Sequence, residues 1–102
     1  MVAYLIAGND VTNPDLMQKY AELAGPTLAP YNAKLLAPGA DQLVMGGGVE
    51  HMEGDFRPGR VVVIEFPDMA QAKGWYNSAE YQAIINMRLE GSVGSLMFVE
   101  GA

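Results

Sequence analysis

Residues 60–81 read RVVVIEFPDMAQAKGWYNSAEY. The run from Arg60 to Phe66 is β-branched almost throughout and follows the turn-forming stretch DFRPG, so it predicts a strand that begins as the chain leaves the turn. Asp68 then offers a carboxylate to unpaired backbone N–H groups and predicts a helix on which Ala72, Trp75 and Tyr76 share one face. Asn77-Ser78 ends that helix. Ser78 caps the next, along which Tyr81, Ile84, Ile85 and Arg88 recur at helical spacing.

Toward the N-terminus, VAYLIA (2–7) reads as a first strand closed by a turn at Gly8-Asn9-Asp10. Asn13-Pro14 gives a cap followed by a first-turn proline, and a helix is expected to about Ala24, with Leu16, Tyr20 and Leu23 facing inward. Gly25-Pro26 and Pro30 either kink the chain or start a short second piece. In residues 33–54, LVM and VEHME look like strand pieces, Pro38-Gly39 suggests an excursion, and Gly46-Gly47-Gly48 suits a bulge, a turn or a close approach. Gly91 and Gly94 break the second helical stretch, and SLMFVE (95–100) makes the last strand.

This order predicts an α+β fold, a ferredoxin-like βαββαβ sandwich with an antiparallel four-stranded sheet and both helices on one face. Val61 and Val63 on one side of the strand, and Val62, Ile64 and Phe66 on the other, are all apolar. The face without helices therefore calls for cover, most economically by a second copy, which predicts a homodimer through sheet-to-sheet packing.

A chain of 102 residues supports one core and reads as a single domain over 1–102. Half the residues are apolar and 18% are charged, which is globular composition. The net charge is -6 and the six basic residues are scattered, so no stripe tracks a phosphate backbone and nucleic acid is not an expected partner. Cysteine is absent, which excludes disulfides, thiolate metal sites and cysteine nucleophiles. The N-terminus lacks a signal-peptide pattern, and no segment approaches the ~20 apolar residues that span a bilayer. A cytoplasmic protein without membrane contact is the expectation.

Glu65 shares its alternation set with Val61 and Val63, so with helices on the other side it points toward the sheet's partner. A desolvated carboxylate there suits a general base, while a group near the strand end that reaches water is the plainer reading. His51, the only histidine, lies between Glu50 and Glu53. Adjacent strand residues point to opposite faces, so this spacing is a poor metal set, and neither a metal nor a haem is expected. Its near-neutral pKa still suits proton transfer. Arg57 and Arg60 flank a Pro-Gly turn and are expected to be solvated or paired with Asp55 or Glu53. Arg88 continues an apolar helix face, where it snorkels, pairs with a buried acid or recognises a ligand anion. Trp75, Tyr76 and Tyr81 read as core or interface aromatics, or as the lining of a ligand pocket. Ser78 and Ser92 lack a triad context, and the three glycines lack the features of a phosphate loop.

The pattern Val11-Thr12-Asn13-Pro14, Tyr20, Gly47-Gly48, Glu53-Gly54, Arg57-Pro58, Glu65-Phe66-Pro67, Trp75-Tyr76-Asn77-Ser78, Glu80-Tyr81 and Arg88 resembles the domain-of-unknown-function family 1330. The likeness covers nearly the whole chain, and EFP followed by WYNSxEY is its most specific part. It implies membership of the dimeric α+β barrel superfamily, whose ferredoxin-like subunits pack sheet to sheet, and related barrels include monooxygenases, isomerases and haem peroxidases. The stretch AKLLAPGADQLVMGGG departs from the family by its extra length and by Met45 where an arginine is usual. An enzyme of this kind is expected to perform cofactor-free proton transfer or oxygenation on a small aromatic or lactone-like compound. Glu65 or His51 is then the base, and Arg88, Trp75, Tyr81 and Tyr20 hold the substrate. The alternative is a non-catalytic dimer that binds a metabolite or another protein.

Overall fold

The computed structural model describes residues 1–37 and 49–102. Its elements run β1 (Ala3–Val11), α1 (Pro14–Ala24), a 3-10 segment (Gly25–Tyr31), β2 (Lys34–Ala37), β3 (Arg60–Phe66), α2 (Met69–Tyr76), α3 (Ala79–Gln82), α4 (Ile85–Gly91) and β4 (Ser92–Glu100). Side chains set the starts of α1, α2 and α3. Asn13 Oδ1 accepts from the Leu16 N–H at 3.2 Å, Asp68 Oδ1 from Gln71 at 2.8 Å and Ser78 Oγ from Tyr81 at 3.2 Å. The Gly91 carbonyl accepts from the Thr12 and Asn13 N–H groups at 2.8 and 3.1 Å, which joins the end of α4 to the start of α1.

The strands form one antiparallel sheet in the order β2-β3-β1-β4, the ferredoxin-like topology, with helices on one face. That face presents Ala3, Leu5, Ala7, Val62, Ile64 and Phe66 to Met17, Tyr20, Ala24, Ala72, Trp75 and Tyr81, and all of these are buried. Among the described residues Phe66, Met17 and Tyr81 are the largest fully buried side chains. Hiding an apolar side chain of this size contributes roughly 1.5–3 kcal/mol, so this layer carries much of the fold's stability.

The expectation of a homodimeric α+β barrel is corrected here. The sheet is open, and its edges, β2 and β4, do not meet. Apolar residues on both alternation sets do not force closure, because folded proteins leave much apolar surface exposed. Tyr4, Ile6, Val61 and Val63 on the far face are half-buried, while Val93, Met97 and Val99 are exposed. At one end Phe56 and Pro58 sit over Gly8, where a Cβ would lie 2.8 Å from each of them. A side chain at this position would require Phe56 and Pro58 to shift.

Other boundaries also moved. Gly8-Asn9-Asp10 is not a turn: β1 continues through it, pairing Asn9 with both Arg60 and Gly94. Ladders on both sides outweigh the local turn preference. For the same reason β4 begins at Ser92 and runs through Gly94. On α1 the buried face is Met17, Tyr20 and Ala24, and Leu23 is exposed. The VEHME stretch forms no strand. The LVM stretch, Pro38-Gly39 and Gly46-Gly47-Gly48 lie outside the described residues. Among the described residues no helix is long and apolar enough to cross a membrane.

Candidate functional site

Between the sheet and its helices lies a cavity of about 340 Å³. Leu5, Ala7, Val62 and Ile64 form its floor, Ala24 of α1 forms one wall, and Gly25, Leu28 and Ala29 of the 3-10 segment form another. The volume falls within the ~300–1,000 Å³ range of small-molecule pockets. Among the described lining residues, only Tyr20, Arg60, Trp75 and Arg88 carry polar side-chain atoms.

Arg60 is the first residue of β3 and shares the parity of Val62, Ile64 and Phe66, so its guanidinium lies on the helix side. It is 6% exposed. The sequence-based expectation of a solvated turn residue is corrected by that burial, and the strand's alternation was the signal that could have found it. Asn9 stands opposite Arg60 in the β1–β3 register, and its Oδ1 accepts from the guanidinium at 3.1 Å. Asn9 Nδ2 donates to Ser92 Oγ at 3.0 Å, and the Ser92 hydroxyl donates to the Arg88 carbonyl at 2.8 Å. A buried chain therefore links the start of β3 to the end of α4. Burial lowers the Arg60 guanidinium below its ordinary value, Tyr20 opposes that shift and Arg88 adds to it.

The second polar group comes from the helices. Arg88 Nε donates to the Tyr81 hydroxyl at 3.2 Å, and the hydroxyls of Tyr81 and Tyr20 are 2.8 Å apart. Among the described residues no carboxylate pairs with Arg88, so a phenol takes the place of the buried acid considered from sequence. Burial pushes the Tyr20 hydroxyl well above its ordinary value, with Tyr81 adding to the rise and Arg88 and Arg60 opposing it. Tyr20 thus feels both guanidinium groups and stays a neutral phenol. Trp75 Nε1 donates to Thr27 Oγ1 at 2.9 Å, and the Thr27 hydroxyl donates to the Ala24 carbonyl at 2.5 Å. The indole is thereby fixed against the 3-10 wall. Its ring packs on Tyr81 with centroids 4.0 Å apart and on Phe66 at 5.8 Å.

The sequence-derived candidates separate into two groups. Tyr20, Trp75 and Arg88 line the cavity, and Tyr81 stands directly behind Tyr20 and Arg88. Glu65 faces the other side of the sheet, in register with Tyr4 of β1 and Lys34 of β2. His51 is half-buried in the connection before β3 and is not among the described lining residues. Among the described residues, no three of His, Cys, Asp or Glu come together in a way that could hold a metal ion.

The fold is similar to that of RPA0582, a protein of unknown function from Rhodopseudomonas palustris, at 15% identity and a TM-score of 0.71 over 99% of this chain and 82% of that one. The methylated form of RPA0582 matches at 16% identity with a TM-score of 0.69, covering 99% and 80% of the two chains. SnoaB from Streptomyces nogalater, a cofactor-independent oxygenase, matches at 7% identity with a TM-score of 0.62, covering 99% of this chain and 93% of its own. Identities this low show a shared fold and nothing of the chemistry. No curated protein matches the sequence. The model of a domain of unknown function, DUF1330, matches residues 2–102, and the chain belongs to that family.

Proposed function

We propose that the cavity binds a small organic acid, with an aromatic or otherwise apolar body against the sheet floor and an acidic oxygen group toward Arg60 and Arg88. The observation that carries this reading is that Arg60 and Arg88 both line a cavity whose described residues are otherwise apolar except for Tyr20 and Trp75. Guanidinium groups donate hydrogen bonds and never accept them, so a ligand group beside them is best an acceptor, and an anionic one gains most. The low-dielectric surroundings strengthen that preference.

A catalytic use is the second reading. The described lining holds no carboxylate and no imidazole, the ordinary bases of such chemistry. The buried Arg60 and half-buried Arg88 instead favour the ionised form of a bound phenol or enol. An electron-rich anion of that kind is the form in which an organic compound is most readily oxidised, and a cofactor-independent oxygenase shares this fold.

Trp75 is the only tryptophan and lines the cavity, so its fluorescence reports occupancy. Titration with 2-naphthoate and with the neutral 2-naphthamide tests the proposal. The acid is expected to bind at least about tenfold tighter than the amide, and Arg88→Gln to remove most of that difference. Equal affinities, or no response to either compound, would refute it.

A further inference from the structure

Either hydroxyl could donate across the 2.8 Å contact between Tyr20 and Tyr81, and the partners around them favour one direction. Arg88 Nε can only donate, so the Tyr81 oxygen is its acceptor at 3.2 Å. Tyr81 is 0% exposed, and its own hydroxyl hydrogen has one acceptor within reach among the described residues, the Tyr20 oxygen at 2.8 Å. Were Tyr20 the donor instead, the Tyr81 hydrogen would be buried without a partner, which is costly. Tyr81 therefore donates to Tyr20, and the Tyr20 hydrogen is left over. Tyr20 is 8% exposed and lines the cavity. Among the described residues no acceptor meets that hydrogen, and burial holds the phenol neutral, so it remains a donor across the ordinary pH range.

We infer that Arg88, Tyr81 and Tyr20 form a one-way donor chain ending in the cavity, so that Tyr20 contacts the ligand's acidic oxygen and Tyr81 is a positioning residue for it. The inference rests on the cavity being the ligand site. A chain that begins at a cation and ends at a phenol polarises each link toward the ligand. Together with Arg60 it presents donors from the sheet and from the helices to a single oxygen group. Specificity follows from the same geometry: at Tyr20 a ligand N–H meets a donor, whereas a carboxylate, phenolate or enolate oxygen accepts from it.

The test is the Trp75 titration with 2-naphthoate on the wild-type chain, Tyr20→Phe, Tyr81→Phe and the double variant, with thermal melts to show that each is folded. Tyr→Phe keeps the ring, and in Tyr81 it keeps the face that packs on Trp75. Tyr20→Phe is expected to weaken 2-naphthoate roughly tenfold, as loss of a hydrogen bond to a charged group does. Tyr81→Phe should weaken it roughly threefold or more although Tyr81 does not line the cavity. The double variant should bind about as the Tyr20 variant does, because links of one chain are not additive. Wild-type affinity in Tyr20→Phe, or effects that multiply in the double variant, would overturn the chain and leave the cavity reading intact. No binding to the wild-type chain would overturn both. If Tyr81→Phe does not fold, the Tyr20 variant alone decides.

Discussion

Replacing Gly94 by alanine drives a methyl group into backbone. Gly94 faces Asn9 across the β1–β4 ladder, and a Cβ built there would overlap the Gly8 carbonyl oxygen and lie 2.6 Å from Asn9 Cβ. Overpacking against side chains that can turn aside typically costs 1–3 kcal/mol. Here the obstacle is a neighbouring strand, so the loss should reach about 3 kcal/mol. At ~4–8 °C per kcal/mol for a domain of this size, the melting temperature falls by roughly 12–24 °C. Gly25 makes the internal control. Its backbone is helical, with φ -51 and ψ -53, and a Cβ there meets nothing within 4 Å. Alanine at 25 reduces the freedom of the unfolded chain and should stabilise by about 0.4–1 kcal/mol. Thermal and urea unfolding of the two variants checks both signs. A Gly94→Ala chain within ~1 kcal/mol of wild type, or equal losses at the two positions, would show that the β1–β4 spacing has been misread.

Asn9 is 4% exposed and is the acceptor for Arg60 and the donor to Ser92, so Asn9→Ala should cost about 2–3 kcal/mol in urea unfolding and weaken binding of an organic acid by displacing Arg60. Burial raises the Tyr20 hydroxyl above its ordinary value of 10.0. The unfolded chain therefore loses that proton near pH 10 while the folded chain keeps it. The stability carried by the neutral phenol is complete below that pH and falls above it by about 1.4 kcal/mol per pH unit. Unfolding measured between about pH 10 and 11 should show a slope shallower in Tyr20→Phe by about half a proton at the lower end, approaching one at the upper. Asn13→Ala removes the acceptor for the Leu16 N–H and should cost about 1 kcal/mol by the same unfolding measurement.

Much of the fold is legible where side chain and backbone agree locally. The caps at Asn13, Asp68 and Ser78 and the bounds of β3 follow from residue type alone, because capping and β-branching act within a few residues. Long-range ladders are less legible. Gly8-Asn9-Asp10 and Gly94 carry turn chemistry, and only the strands beside them keep the chain extended there. The buried face of α1 could not be fixed from Leu16, Tyr20 and Leu23, since a helix of 11 residues offers several apolar stripes and the sheet selects one. At the cavity, Tyr20, Trp75 and Arg88 were legible as aromatic and cationic interruptions of helix faces. Arg60 was hidden by its place next to a Pro-Gly turn, where arginine is usually solvated.

The two charges on β3 illustrate how strand parity assigns chemistry. Arg60 and Glu65 lie five positions apart in one strand, and an odd separation puts them on opposite faces. Arg60 goes to the helix side and becomes part of the cavity, while Glu65 goes to the open side next to Tyr4 and Lys34. A one-residue slip of register would exchange them, but it would also turn Val62, Ile64 and Phe66 out of the core. Packing thus decides which charge can meet a ligand bound among the helices. Glu65→Gln should leave the affinity for 2-naphthoate within about twofold of wild type, because the group lies across the sheet from the cavity. Loss of binding in that variant, with folding intact, would mean that the ligand site lies on the open face of the sheet and that Arg60 and Arg88 serve the core alone.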